Sequence, residues 1–365
     1  MSKRIDIIAG ARPNFMKIAP ILRAIDKRKV GERPLAYRLI HTGQHYDEKM
    51  SASFFEQLNI PNPDFNLEVG SGSQSEQTAE IMIRYEKLLA SSRSDLCLVV
   101  GDVTSTMACA ITAQKLGVPV AHVEAGIRSG DWSMPEEINR MVTDSITNFF
   151  FTTSEVANQN LRDAGVSQDR IFFVGNTMID TLKANQKSFK KPSFWNEYNL
   201  SEKKYIVLTL HRPANVDDED SLLKLLGAIS QGSRDFPVIF PAHPRTAKNL
   251  KRVSETSPGI LVVEPQPYLQ FNFLVENAKA VITDSGGITE ETTVMGIPCL
   301  TLRDTTERPE TVTIGTNELI GTDPAEINPA LERLFLGNWK KGSIPPKWDG
   351  NTGERICTHL QELLC

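Results

Sequence analysis

Ala280-Val281-Ile282-Thr283-Asp284-Ser285-Gly286-Gly287-Ile288-Thr289-Glu290-Glu291 is a short apolar strand that runs into two glycines and then into a carboxylate-rich helix start. Such a turn can hold a diphosphate. Glycine lets the backbone come close, the free N–H groups of the first helical turn point at the anion, and the positive end of the helix dipole favours its charge. Taken alone, the turn also fits a tight connection with no ligand. The exit of the next strand adds weight, because Arg303-Asp304-Thr305-Thr306-Glu307-Arg308-Pro309-Glu310 brings two guanidinium groups to the same sheet edge. A guanidinium is a fixed fork of donors that suits phosphate oxygens.

Outward from this turn the same rhythm fills the chain. Strands are expected at Ile5–Ala9, Ala36–His41, Leu96–Val100, Val118–Val123, Phe149–Thr152 and Ile171–Val174, then at Tyr205–Leu210, Val238–Phe240, Ile260–Val263, Ala280–Thr283, Pro298–Leu302 and Glu318–Gly321. Runs that are apolar on both faces and alternate with amphipathic helical stretches indicate parallel sheets covered on both sides. The expected fold class is α/β, with two Rossmann-like, doubly wound parallel-sheet domains. Residues 183–204 are polar, lysine-rich and broken by Pro192, as a connector is, so the domains are expected at 1–180 and 181–365. Residues 351–365 carry Ile356, Leu360, Leu363 and Leu364 at helical spacing and read as a closing helix free to pack back on the first domain.

Composition narrows the partners. At 365 residues the chain exceeds what one core usually serves. A formal charge of -5 argues against nucleic acid or an anionic membrane, either of which would want a basic face. Cys97, Cys109, Cys299, Cys357 and Cys365 are odd in number and show no CxxC spacing, so they read as reduced thiols rather than a zinc or redox motif. The short apolar run after Met1-Ser2-Lys3-Arg4 contains Asp6 and reads as a first strand, not a signal peptide. No apolar segment approaches the roughly 20 residues of a membrane span, and the cytoplasm is the expected location.

In an open parallel sheet, ligands sit beyond the carboxyl ends of the strands. The loops there hold the unusual residues. The first strand is followed by Gly10-Ala11-Arg12-Pro13-Asn14-Phe15-Met16-Lys17, where Arg12 and Lys17 suit an anion clamp. His41, His45 and Asp47 lie close after the second strand, but no further ligand comes at metal spacing, so a hydrogen-bonding loop is favoured and no metal is expected. Asp102 follows the third strand, at a position that helix capping would also explain. Glu124 and Arg128 follow the fourth, and Pro135-Glu136-Glu137-Ile138-Asn139-Arg140 opens the next helix. Asp102, Glu124 and Glu136 are thus expected to converge with Arg12, Arg128 and Arg140. Such a cluster serves either as acid/base equipment with separated pKa values or as an ion-pair network. In the second half, His211 and His243 leave strands into proline-flanked loops, and His211 suits a phosphate or a general acid.

At these residues the chain resembles the non-hydrolysing UDP-N-acetylglucosamine 2-epimerases, of the two-domain nucleotide-sugar architecture called GT-B. The resemblance rests on Gly101-Asp102, on His122 to Arg128 with Pro135 to Arg140, on Gly175-Asn176-Thr177, His211-Arg212, Asp284 to Gly287, and Arg303 to Glu310. It implies exchange of UDP-GlcNAc and UDP-ManNAc without a cofactor, by elimination of UDP to an enzyme-bound glycal in a cleft between the domains. Implied catalytic residues are Asp102, Glu124, Glu136 and His211. The resemblance assigns substrate binding to Arg12, Lys17, Arg128, Arg140, Ser285, Gly286, Gly287, Glu291 and Arg308. It implies a homodimer and, through Gln44, His45 and His243, a site for a second UDP-GlcNAc as activator. Two departures stand out. Asn14 replaces a glutamate common in the family, which bears on the sugar substituents, and the His211-Arg212-Pro213-Ala214-Asn215 loop lacks another. An epimerase of UDP-diacetamido-uronic acids is the near alternative. A GT-B glycosyltransferase would share the phosphate turn but needs an acceptor, and three acids suit elimination better.

Overall fold

The computed structural model describes residues 3–28, 34–43, 58, 60–216, 218–242 and 257–364. The chain divides into two compact units, Met1–Ala184 with Pro346–Cys365, and Asn185–Pro345. In the first, strands β1 (Lys3–Ala9), β2 (Leu35–His41), β3 (Phe65–Asn66), β4 (Leu96–Val100), β5 (Val120–Val123), β6 (Phe149–Thr152) and β7 (Ile171–Phe173) form one sheet in the order β3-β2-β1-β4-β5-β6-β7. Its helices are α1 (Arg12–Asp26), α2 (Gln74–Ser91), α3 (Thr104–Lys115), α4 (Pro135–Ile146), α5 (Glu155–Asp163) and α6 (Thr177–Asn185). The second unit holds β8 (Ile206–Thr209), β9 (Val238–Pro241), β10 (Ile260–Val263), β11 (Ala280–Thr283), β12 (Cys299–Thr301) and β13 (Asn317–Leu319), in the order β10-β9-β8-β11-β12-β13. Around that sheet run α7 (Pro213–Val216), α8 (Glu219–Gly232), α9 (Tyr268–Asn277), α10 (Gly286–Met295), α11 (Pro309–Thr313) and α12 (Ile327–Phe335). Pairing is parallel throughout both sheets, as the two-faced apolar runs led one to expect.

The strands form because both of their faces are covered. All five residues of β4 are buried. In β8 the alternation of side chains sends Ile206 and Leu208 into a core with Leu226 of α8 and Leu331 of α12, while Val207 enters a second core with Leu274 of α9. Each sheet reverses its order at one pair, β1–β4 in the first and β8–β11 in the second. The carboxyl ends beside such a reversal leave a crevice, so this topology selects the loops after β1, β4, β8 and β11 as the place for a ligand.

Two details differ from what the sequence led one to expect. The two-residue strand β3 has no apolar run to announce it, since Phe65 and Asn66 are both exposed. The lysine-rich segment at 183–204 is more than a solvated connector: Trp195 is buried and meets Tyr205 and Phe273 edge-on, with ring centroids 5.5 and 5.3 Å away. The last helix, α13 (Thr352–Leu364), belongs to the first unit and packs on α1. Gly353 permits the approach, because a Cβ there would stand 2.5 Å from the Pro20 carbonyl oxygen, and Lys27 and Arg28 pair with Glu354. Pro20 inside α1 cannot donate to Met16, and the Thr181 hydroxyl serves the Met16 carbonyl instead at 2.6 Å.

Candidate active site

The loop between β1 and α1 is set by Asn14. Its Oδ1 accepts from the N–H groups of Gly10 and Ala11, both at 3.1 Å, and its Nδ2 donates to the Val100 carbonyl at 3.0 Å. A glutamate could accept those two bonds but could not make the third, so asparagine ties this loop to the end of β4. Arg12 is the first residue of α1, and its side chain lies outside the described set. Lys17, one turn further on, reaches Glu124 Oε2 at 2.7 Å. Gly101 makes room for it, since a Cβ there would stand 3.0 Å from Lys17 Nζ, and its φ of +70° also favours glycine. Glu124 itself holds φ at +70°. For a side chain with a Cβ this conformation costs about 1–3 kcal/mol and marks a position that the surrounding structure over-determines.

Asp102 is not a helix cap. The N-cap of α3 is Val103, without a side-chain bond, and Asp102 Oδ2 instead accepts from Arg140 Nη2 at 2.6 Å and Nε at 3.0 Å. Arg140 also donates to Glu137 at 2.6 Å. Burial would raise the Glu137 pKa, but the Ser129 N–H, Arg140 and the Gly130 N–H outweigh it and hold the carboxyl below its usual range. Glu136, in the first turn of α4, is half-buried.

Arg128 goes elsewhere than the three expected acids. Its Nη1 donates to Asp144 Oδ2 at 2.7 Å, and Asp144 also accepts from the Gly126 N–H and pairs with His122 Nδ1 at 2.7 Å. The other imidazole nitrogen lies 2.8 Å from the Gly101 carbonyl. Burial would raise the Asp144 pKa, yet His122 and Arg128 keep it low. This network fixes the turns at the ends of β4 and β5 where Asp102 and Glu124 sit. The sequence does not single out Asp144, because it lies in the last turn of α4, outside any strand-exit loop.

In the second unit, Asp284 organises the end of β8. Fully buried, it accepts from the N–H groups of His211 and Arg212 and from Asn215 Nδ2, and pairs with His211 Nδ1 at 2.6 Å. Burial would raise its pKa, but His211 and the surrounding donors hold it low. A carboxylate at Nδ1 puts a proton on that nitrogen and turns Nε2 outward. The His211 side chain is 61% exposed. The sequence shows Asp284 next to the glycine turn and gives no sign that it faces His211 from the neighbouring strand.

Ser285 precedes α10 without a side-chain cap, and the first turn of α10 carries no carboxylate. The expected carboxylate-rich helix start is therefore corrected: Glu290 and Glu291 fall in the second turn and are buried. Glu290 pairs with Arg308, itself buried at the start of α11. Glu291 accepts from the Tyr268 hydroxyl at 3.0 Å, and burial pushes its pKa up to about 7. Ser285, Gly286 and Gly287 thus form an uncapped helix start, and a Cβ on Gly287 would meet no described residue within 4 Å.

After β2, His41 stacks on Phe15 and its Nδ1 accepts from the Gly43 N–H at 3.0 Å. Among the described residues no group of three His, Cys, Asp or Glu could hold a metal, and no helix is long and apolar enough to cross a membrane. Cys97, Cys109, Cys299 and Cys357 are free and buried. Gln44, His45 and His243 lie outside the described residues.

Two all-parallel α/β units, each with charged groups at the strand ends beside its topological switch, define a two-domain Rossmann-like enzyme of the GT-B type. The family model described as UDP-N-acetylglucosamine 2-epimerase matches residues 28–361. The UDP-N-acetylglucosamine 2-epimerase of Methanocaldococcus jannaschii is 41% identical over 97% of this chain and 97% of its own. A crystal structure of the M. jannaschii UDP-GlcNAc 2-epimerase, in complex with UDP-GlcNAc and UDP, superposes with a TM-score of 0.85 over 98% of this chain and 99% of that one. The UDP-2,3-diacetamido-2,3-dideoxy-D-glucuronate 2-epimerase of Pseudomonas aeruginosa is 37% identical over 99% of this chain and 100% of its own. The chain belongs to the UDP-N-acetylglucosamine 2-epimerase family of isomerases.

Proposed function

We propose that this chain interconverts UDP-GlcNAc and UDP-ManNAc by eliminating UDP across C1–C2 to an enzyme-bound 2-acetamidoglucal, then adding UDP back after protonation on the opposite face. The observation that carries the reading is a division of chemistry between the units. Acids paired with cations stand at the ends of β4 and β5, whereas the end of β11 is an uncapped helix start with an oriented imidazole at the neighbouring strand.

The C2 proton has no adjacent carbonyl to acidify it, so its loss must be coupled to departure of the diphosphate from C1. Asp102, Glu124 and Glu136 furnish the base and the acid. A positioned group of this kind contributes about 10²- to 10⁴-fold. Lys17, Arg12 and the start of α10 neutralise the leaving diphosphate, and fixed donors aimed at developing charge contribute on a similar scale, about 10²- to 10³-fold each. His211, held by Asp284 with Nε2 outward, donates to the departing phosphate oxygen when both ring nitrogens carry a proton. Arg128 and Arg140 take part through the acids they hold, Glu291 meets the ribose hydroxyls, and Arg308 stands on the nucleotide side. No redox cofactor is needed, because the hydrogen leaves and returns as a proton.

A second reading, a UDP-diacetamido-uronate substrate, is favoured by the P. aeruginosa relative and by Asn14 in place of the family's glutamate. Work as a homodimer in the cytoplasm, activation by a second UDP-GlcNAc through Gln44, His45 and His243, and supply of a polysaccharide pathway all rest on the family resemblance. The deciding experiment incubates the protein in deuterated water with UDP-GlcNAc alone and follows it by proton NMR. Appearance of the manno epimer with loss of the H2 signal supports the proposal, and a UDP-sugar panel ranks the two substrates. An unchanged spectrum across the panel, with reaction only on adding an acceptor, would show a glycosyltransferase instead.

A further inference from the structure

Arg303, at the end of β12, is 4% exposed. Its Nη2 donates to Glu307 Oε2 at 2.6 Å, while its Nε and Nη1 are shut off from solvent and have no hydrogen-bond partner among the described residues. Buried guanidinium donors left unmet are costly, and such a group calls for a ligand or an explanation. Its position supplies one. A Cβ on Gly286 would stand 2.3 Å from Glu307 Oε1 and 3.6 Å from Arg303 Nη1, so the pair lies directly against the first residue of α10. Arg303 and neighbouring donors outweigh burial and hold the Glu307 carboxyl down at about 2, which keeps it ionised. The helix that lacks a carboxylate in its own first turn therefore has one delivered from the next strand's loop.

We propose that Glu307 is a resident anion at the start of α10, standing in for the substrate's diphosphate, and that Arg303 passes its donors from Glu307 to the diphosphate when the nucleotide binds. The inference rests on the reading that α10 receives the diphosphate, and it adds a residue that opposes binding as well as one that promotes it. An enzyme that must release UDP from the sugar, hold it and add it back gains from an internal anion that limits how tightly UDP is trapped. Glu307 supplies that opposing charge, and Arg303 couples it to occupancy of the site.

Calorimetric titration of UDP and of uridine into the wild-type protein, Glu307→Gln and Arg303→Met tests this. Removing the competing charge is expected to tighten UDP about tenfold in Glu307→Gln, and removing the donors to weaken it about tenfold or more in Arg303→Met, on the scale of charge-assisted hydrogen bonds. Uridine, which lacks the diphosphate, is expected to bind all three alike; a merely structural pair would change both ligands together. UDP binding to Glu307→Gln that is equal to or weaker than wild type overturns the inference. Wild-type protein that binds uridine no less tightly than UDP defeats instead the reading of α10 as a diphosphate site. Circular dichroism reports whether each variant is folded, and Arg303→Lys replaces Arg303→Met if the latter is not.

Discussion

The two units present their charged groups in opposite senses. In the first, a cation set into the fold holds the acid: the Arg140 side chain is 4% exposed and its partner Asp102 29%. In the second, an acid set into the fold holds the imidazole: Asp284 is wholly buried and the His211 side chain 61% exposed. Each unit thereby gives the ion buried at its base a partner nearer the surface, which avoids leaving a lone buried ion. A carboxylate suits proton transfer at the sugar and an oriented imidazole suits a departing diphosphate, so the reversal follows the chemistry proposed for each unit. The Lys17–Glu124 pair departs from this pattern, for there the carboxylate is the deeper partner, at 3% against 13%. Lys17 screens Glu124, and on the proposed reading substrate would meet the two together.

The strongest way to break the comparison is to neutralise the acids of the first unit. Glu124→Gln, Asp102→Asn and Glu136→Gln are each expected to lower turnover by at least about a hundredfold while UDP affinity stays within a few-fold of wild type. Steady-state assays and calorimetry read the two quantities. Retained turnover in all three variants would mean that these carboxylates are a structural ion-pair network and nothing more.

The corresponding change in the second unit acts through orientation, so a smaller effect is expected. Asp284→Asn leaves His211 in place but removes the carboxylate that fixes its tautomer, and a loss of about ten- to hundredfold in turnover is expected, on the scale seen for outer partners that orient a metal-bound histidine. The stability of the protein carries a second signature. The Asp284 pKa lies below its ordinary value of 3.8 in the folded chain, with burial opposed by the stronger pull of His211 and the N–H donors. The folded state therefore binds this proton less readily than the unfolded state. Asp284 contributes stability above the unfolded pKa, and that contribution is lost as pH falls through the folded one. Urea midpoints measured from pH 7 down to the acid limb should fall more steeply in wild type than in Asp284→Asn.

These pairings show where sequence reading stops. Strands such as β4 and β8 were legible because two covered faces leave uninterrupted apolar runs, whereas β3 was not, since Phe65 and Asn66 lie exposed at a sheet edge beside Ile40 and His41. The positions of Asp102, Glu124 and His211 at strand ends were legible for the same reason as the strands. Their partners were legible only in part: Arg140 was expected near Asp102 and reaches it from α4, whereas Asp284 meets His211 because β8 and β11 are neighbours in the sheet despite their distance in the chain. Partner choice depends on strand order, and strand order leaves no local trace in composition or periodicity. Asp102 shows the same limit from the other side: its residue type and position fitted a helix cap, but Val103 takes that place.

The smallest expected effect sharpens the comparison at a shared device, a glycine beneath a charged side chain. Gly101 lies under Lys17 in the first unit, and Gly286 lies under Glu307 in the second. Gly287, the next residue, has no described residue within 4 Å of where a Cβ would go. Gly286→Ala is therefore expected to push against the Arg303–Glu307 pair and cost about 1–2 kcal/mol of stability, as overpacking does. Gly287→Ala should be neutral or gain up to about 1 kcal/mol, because alanine loses less entropy than glycine on entering a helix. The same methyl would stand on the open side of the helix start and weaken UDP while leaving uridine unaffected. Thermal melts of the two variants should move apart, one down and the other level or up. A matching fall in both would mean that the open side of α10 is occupied by the chain itself, and the second unit would then have no free place to offer a phosphate.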